Sequence, residues 1–217
     1  AEALLAKLYL NWSVYTAQNV EDYTPIASNE KLQEVVKMCD NIIASNQFNL
    51  TSHKFLEKFR PDNGPQIKDF IFVMPYDKES QQGMTFARFW IHRSAQNQFA
   101  NLPQSVGGTF RVLPTFLDKF NLQGDERNAS YIGGKQYYWS NYQEDRTRPF
   151  LIRTSKKGID QDYVGADADT QFEWQLDITR DIVLRPDGAA TLNVGNDQKG
   201  RSMGYRSIKF YMDVNVT

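Results

Sequence analysis

The sequence is poor in the residues from which metal centres and nucleophilic sites are most often built. It has a single cysteine, Cys39, and two histidines, His53 and His92. One cysteine closes no internal disulfide, and the apolar, helix-spaced neighbours of Cys39 predict a buried thiol rather than a nucleophile. The histidines lie far apart in the chain, and neither has a second ligand at zinc-binding spacing. Neither stands in a nucleophile context, so no Ser–His–Asp arrangement can be nominated. An excess of one charge is missing too: 25 Lys and Arg against 26 Asp and Glu give a formal net charge of -1. Nucleic-acid binders usually carry a basic face that displaces counterions from phosphates. Here Lys156-Lys157 is the one notable basic pair, so no nucleic-acid partner is expected.

Long apolar runs are also lacking, and none approaches the roughly 20 residues needed to span a bilayer. No signal peptide is read at the start. The chain opens at Ala1 inside an apolar-periodic segment, and this predicts an internal piece of a longer protein. Gly107-Gly108 and Gly133-Gly134 are not followed by Lys-Ser/Thr and a helix, so they are not phosphate loops. No internal repeat and no low-complexity tract is found.

Aromatic rings, by contrast, are plentiful: 11 Tyr, 4 Trp and 14 Phe among 217 residues. Many of them carry a polar handle, which suits half-wet surfaces as well as cores.

The first segment, AEALLAKLYLNWSVYT, reads as a helix with Leu4, Leu5, Leu8, Tyr9 and Trp12 on one apolar face. Trp12 is assigned to that packed face. A second helix is predicted over about Glu30 to Ser45, with Asn29 as its N-cap. Asn46 suits the left-handed conformation that ends a helix. Leu32, Val35, Val36, Cys39, Ile42 and Ile43 form its predicted buried stripe. The pair makes a helical hairpin similar to one tetratricopeptide-type unit, which cannot bury its apolar face alone.

The pattern changes after Asn46. Pro61-Asp62-Asn63-Gly64-Pro65 is a turn signal, and Phe70 to Met74 reads as a buried strand. A stretch with few clear periods covers Asp77 to Gly108. A short helix is predicted over Leu113 to Asn121, with Pro114 in its first turn. Strand-like pieces follow at Lys135–Trp139, Phe150–Thr154, Ile182–Arg185 and Ser207–Tyr211, with Pro186-Asp187-Gly188 as a turn. The expected class is α+β, mainly α: a hairpin over 1–46 and a loop-rich part with short strands over 47–217, together part of one domain.

Several of these pieces resemble one family in order. AEALLAKLYL is similar to the A-x-A-L-L-A-K-x-Y-L helix of SusD/RagB-like proteins, and IIASNQFNL to their vI-x-S-G-x-Y-x-L step. Phe55 to Asn63 resembles Y-x-x-x-F-x-x-x-N, and Phe70 to Tyr76 resembles E-I-I-F-x-x-x-Y. GGTFRVLPTFLDKFNLQGDER resembles N-G-x-x-T-x-P-x-F-x-x-x-F-x-x-x-D-x-R, and GYRSIKFYMD resembles G-x-R-x-x-K-F-x-x-D. The steps extend from Ala1 to about Val214. The resemblance implies a SusD-like fold: a helical scaffold with tetratricopeptide-like units and irregular binding loops. It also implies a lipoprotein of a Bacteroidetes-type outer membrane, held at the cell surface by a lipid anchor outside this chain. Its partners would be a SusC-like TonB-dependent transporter and an oligosaccharide, or in some members a peptide or another nutrient. No cofactor is implied.

Sugar capture without catalysis needs rings that stack on a pyranose face and amides, carboxylates or arginines that meet its hydroxyls. Tyr137-Tyr138-Trp139-Ser140-Asn141-Tyr142 sets consecutive rings beside Asn141. Adjacent strand residues point to opposite faces, so at least one ring is expected outside. The candidates for ligand contact are Trp90, Tyr137, Tyr138, Trp139, Asn141 and Trp174, and each has a packing role as its alternative. Asp160, Asp162, Asp167 and Asp169, with Gly158 and Gly165, are oxygen-rich enough to be weak calcium candidates. Their spacing departs from the EF-hand loop, and a solvated acidic loop is the plainer reading.

A glycosidase needs two facing carboxylates, one of them held protonated. Asp125, Glu126, Asp145, Glu173, Asp177 and Asp181 could in principle pair, but sequence spacing cannot show it. Asp125 and Arg127 are expected to form a structural ion pair or cap. Three sequons, at Asn11, Asn49 and Asn128, are treated as chance. The expected function is non-catalytic glycan capture. A protein-interaction module, a peptide binder and a glycoside hydrolase stand as alternatives.

Overall fold

The structure is a computed structural model that describes residues 1–21, 23, 29–76, 79, 87–99, 105–154, 172–186, 192–195 and 197–211. The chain divides into two compact units. One combines Ala1–His53 with Gly64–Met74, and the other combines Lys54–Asn63 with Pro75–Thr217.

In the first unit, helix α1 (Glu2–Leu10) is followed by the single turn α2 (Trp12–Tyr15) and by α3 (Leu32–Ala44). The predicted first helix breaks at Asn11, whose Nδ2 donates to the Lys7 carbonyl at 2.9 Å. Such local side-chain bonds compete with the helical ladder. α1 and α3 are tied by Asn41 Nδ2 donating to Glu2 Oε1 at 3.2 Å. Nearby, Trp12 Nε1 donates to Glu30 Oε1 at 2.6 Å, and the Lys31 ammonium stands over the Tyr9 and Trp12 rings. Trp12 is thus anchored through its indole N–H, while Leu4, Leu5 and Leu8 of the packed face expected for it are exposed. α3 ends at Asn46 in the left-handed region, φ 53°, as expected.

The mainly α, tetratricopeptide-like fold class is not what the chain adopts. Most described residues lie in short antiparallel strands, turns and irregular backbone. The helices α2, α4 (Pro114–Leu117) and α5 (Gln198–Arg201) are four residues each. In α1 only Ala6 is buried, and in α3 no residue is. Helices this short with so little buried surface cannot supply the packed faces of a helical repeat. The packed side of α3 runs through Leu32, Val35, Met38 and Ile42, all half-buried. Val36, Cys39 and Ile43 lie beside this stripe and are exposed, so the predicted buried thiol is at the surface. The run Phe70–Met74 forms no strand. Residues 71–76 are exposed, Phe72 at 88%. A continuous apolar run needs partner strands on both sides to become a buried strand, and the first unit supplies none among its described residues.

Among the described residues, the second unit holds five two-stranded antiparallel ladders. β1 (Tyr131–Ile132) pairs with β10 (Arg206–Ser207), β2 (Gly134–Lys135) with β7 (Asp177–Ile178), and β3 (Tyr137–Ser140) with β4 (Gln143–Pro149). β5 (Leu151–Thr154) pairs with β6 (Phe172–Gln175), and β8 (Arg185–Pro186) with β9 (Leu192–Asn193). In β5 Ile152 and Thr154 are buried while Leu151 and Arg153 are exposed, the period-two pattern of a half-wet sheet. The strand predicted at 150–154 is present as β5, while that at 135–139 divides at Gln136 between β2 and β3, which pair in different ladders. Those at 182–185 and 207–211 shrink to two-residue ladders, and the predicted helix 113–121 shrinks to α4.

Ala87, Ile91, Ala95, Phe99, Val106, Phe150, Ile152, Leu176 and Ile178 form the core. Buried amides reinforce it. Gln98 Nε2 donates to Gln136 Oε1 at 2.9 Å and to the Tyr137 carbonyl at 3.1 Å, and Gln136 Nε2 donates to the Gly134 carbonyl at 2.8 Å. The Trp139 amide in turn donates to the Gln98 carbonyl at 2.9 Å, which fixes β3 against the segment 91–99.

Candidate functional site

The β3–β4 hairpin turns at Asn141 and Tyr142, both left-handed with φ 48° and 63°. A two-residue turn of this hand matches the twist of the flanking strands, and asparagine tolerates it. A tyrosine does so at a cost, of order 1–3 kcal/mol for a residue held in a sparse backbone region. That backbone sets the Tyr142 ring edge-on to Tyr211, 4.9 Å between centroids, with the Arg60 guanidinium 4.6 Å from its centre. The Trp139 ring lies 6.1 Å from Tyr211 and 5.6 Å from Phe99.

A second group of rings adjoins the first through the chain neighbours Phe210 and Tyr211. Phe210 meets Phe59 at 5.5 Å, and Phe59 meets Phe55 at 5.1 Å. The Lys209 ammonium stands 4.2 Å from the Phe59 ring centre and 5.3 Å from that of Phe210. The segments 55–60, 139–142 and 209–211 thus make a strip of aromatic rings carrying two cations. Its members Phe55, Phe59, Trp139, Tyr142, Phe210 and Tyr211 are all half-buried, and Trp139, Phe210 and Tyr211 pack against the core. Such half-wet rings offer an apolar face for stacking. Exposed amides flank the turn at Asn141 and Gln143.

Of the six residues expected to touch ligand, Trp139 and Asn141 belong to this strip. Tyr138 packs on Phe150 at 5.0 Å with Arg148 over its ring. Tyr137 faces Pro149 across a register irregularity, and Trp174 faces Ile152 across the β5–β6 ladder. Trp90 lies 5.4 Å from Phe110, where it serves packing. The acidic residues Asp160, Asp162, Asp167 and Asp169 lie outside the described residues. Among the described residues no group of three His, Cys, Asp or Glu side chains gathers at a metal-binding distance. Sequence reasoning missed Arg60, Lys209 and Tyr211 and left Tyr142 unselected.

A different cluster surrounds His92, which is 2% exposed. Its Nδ1 accepts from the Ser94 amide at 3.1 Å, so the ring proton sits on Nε2, which faces Ser202 Oγ at 3.4 Å. An imidazole in this tautomer has no lone pair to offer the serine hydroxyl, so the pair is not a base activating a nucleophile. Burial, then the nearby Arg206, Arg111 and Arg201, push the His92 pKa down to about 3. Arg206, 1% exposed, donates to the carbonyls of Gly108, Phe110 and Arg201, and burial lowers its pKa to about 9. Gly108, at φ 63°, suits this place. A Cβ there would stand 2.9 Å from the Arg93 nitrogen. Trp90, His92, Gln98 and Arg206 border a small recess lined mainly by apolar atoms.

The carboxylates are engaged structurally. Asp125 receives Arg127 through its backbone amide and its Nε, both at 2.9 Å, the cap and ion pair anticipated for this pair. The Arg127 contact holds the Asp125 pKa down at about 2. Thr147 bonds hold Asp145 below its ordinary value. Asp197, fully buried, pairs with Arg185 at 2.7 Å and accepts from the Gly200 amide at 2.6 Å.

No helix among the described residues is long and apolar enough to cross a membrane. Comparison with known proteins returns no matching family model, no matching curated protein and no matching solved structure.

Proposed function

We propose that this chain captures oligosaccharide without catalysis, binding it on the aromatic strip of Trp139, Tyr142 and Tyr211. The observation that carries the reading is the Asn141-Tyr142 turn. A tyrosine is kept in a left-handed backbone that costs energy, and the result is a ring placed beside Tyr211 at a half-open surface. Stacking on a pyranose face requires such preset rings, and exposed amides at Asn141 and Gln143 can meet hydroxyls alongside.

The SusD/RagB-like resemblance extends the proposal to capture at the outer-membrane surface and delivery to a SusC-like TonB-dependent transporter. In the first unit Leu4, Leu10, Val20, Ile43 and Phe72 are 57–92% exposed, and large apolar side chains left open to solvent suit coverage by a protein partner. The same observation favours the second reading, a protein-interaction module with no sugar ligand.

Affinity electrophoresis through gels containing single polysaccharides separates the two. Glycan capture predicts retardation by at least one polysaccharide, weakened about tenfold or more by Trp139→Ala or Tyr142→Ala, which corresponds to about 1.4 kcal/mol. Migration unaffected by every polysaccharide would leave the interaction module. Release of reducing sugar on long incubation would point instead to a hydrolase.

A further inference from the structure

We infer that the ligand of the aromatic strip is an acidic saccharide, a glycan bearing carboxylate or sulfate groups, read by Lys209 and Arg60. This inference rests on the glycan-capture reading and goes beyond it by naming the substrate class.

Two cations on the strip have few acidic partners among the described residues. Lys209 makes no ion pair among the described residues, and its ammonium stands within 4.2–5.7 Å of the ring centres of Phe59, Phe210 and Phe55. Arg60 lies over Tyr142, and its one ion pair among the described residues is a long contact of 3.8 Å to Glu57. Two carboxylates near the strip, Glu57 and Glu126, accept from backbone amides. Glu57 Oε2 accepts from the Lys54 amide at 3.0 Å, and Glu126 Oε2 accepts from the Phe55 amide at 2.7 Å. Each bond ties one oxygen of its carboxylate to the backbone.

A cation held over ring faces is partly dehydrated and fixed in place, so an incoming anion pays less to order it. A neutral sugar gains from the rings and from ordinary hydrogen bonds between its hydroxyls and the cations. A uronate or sulfated sugar gains from both, because charge-assisted hydrogen bonds are roughly twice as strong as neutral ones. The rings also separate this site from a general polyanion patch. The whole chain carries a net charge of -1, and the strip reads apolar sugar faces as well as charge.

The test uses the full chain and polymers that share a backbone and differ only in charge: polygalacturonate against its methyl ester, and dextran sulfate against dextran. The expected result is tighter binding of the acidic member of at least one pair, weakening as salt is raised. Lys209→Met keeps an unbranched apolar chain over the rings and removes the charge. It should lose about tenfold in affinity for the acidic polymer and clearly less for the neutral one, with Lys209→Arg restoring most of the loss. An unchanged thermal midpoint shows that the variant is folded, and Arg60→Met gives a second measurement should Lys209→Met unfold. Equal binding of acidic and neutral polymers, indifferent to Lys209→Met, overturns this inference and leaves glycan capture standing. Duplex DNA bound as tightly as the acidic glycan also overturns it, because the site would then sense charge alone. Retardation by none of the four polymers or any other glycan overturns the capture reading and this inference with it.

Discussion

Gln98 and Gln136, 38 positions apart in sequence, meet through their side-chain amides at 2.9 Å, and both are almost fully buried. The bond closes a relay in which Gln136 reaches Gly134 and the Gln98 backbone receives the Trp139 amide. Removing one partner strands the other in an apolar surrounding. Gln98→Leu and Gln136→Leu should each destabilise by about 1–3 kcal/mol, and the double variant by clearly less than their sum. Urea unfolding of the four proteins measures this, and strict additivity would show that the amides do not interact.

The buried state of His92 sets a pH dependence. Its pKa is lowered from an ordinary 6.5 to about 3 in the folded chain. The unfolded chain takes up a proton as pH falls through 6.5, while the folded chain takes it up only near 3. The unfolded state therefore binds more protons in that window, and stability falls as the solution is acidified across it. His92→Asn can keep an acceptor for the Ser94 amide without a titrating ring. It should flatten the decline between pH 6.5 and 4 in denaturant midpoints. A slope unchanged by the substitution would assign the acid sensitivity to other groups.

Asp197 is fully buried and holds two partners, the Arg185 guanidinium and the Gly200 amide. Asp197→Ala leaves Arg185 without its buried counter-charge and uncaps α5. The expected loss is about 3 kcal/mol, toward the lower end for a broken buried pair because the Arg185 side chain remains 35% exposed. A thermal midpoint within a degree or two of the parent would mean that the pair contributes little.

Tyr142 separates backbone strain from ring chemistry. Tyr142→Gly frees the left-handed position of its steric cost but deletes the ring over which Arg60 stands. Stability should change by no more than about 1 kcal/mol while glycan affinity drops about tenfold. Loss of stability without loss of binding would make Tyr142 a packing residue only.

The legible parts of this chain were those set by local chemistry. The left-handed Asn46, the Asp125–Arg127 cap, Pro114 at the start of α4 and the alternation in 151–154 follow from side chains acting within a few residues. The helical hairpin was misread because periodicity in 1–16 gave no sign that Asn11 would divide the helix, nor that its apolar face would stay exposed. Phe70–Met74 misled for a related reason, since a buried strand and an exposed apolar segment have the same composition. In the candidate site, Trp139 and Asn141 could be found because they lie in one aromatic run. Arg60 and Lys209 could not, because 149 residues separate them and only the fold sets both cations on one strip of rings. A faint signal existed in the adjacency of Lys209, Phe210 and Tyr211 and of Phe59 and Arg60, each a cation beside aromatic side chains.

The most direct measurement follows the indole N–H signals of the four tryptophans in a 1H–15N spectrum while a binding oligosaccharide is titrated. The account predicts that the Trp139 signal shifts in proportion to occupancy, while those of Trp12 and Trp174 stay in place. A saturable titration in which Trp139 does not move would contradict the site. So would one in which Trp12, anchored on Glu30, is the signal that responds.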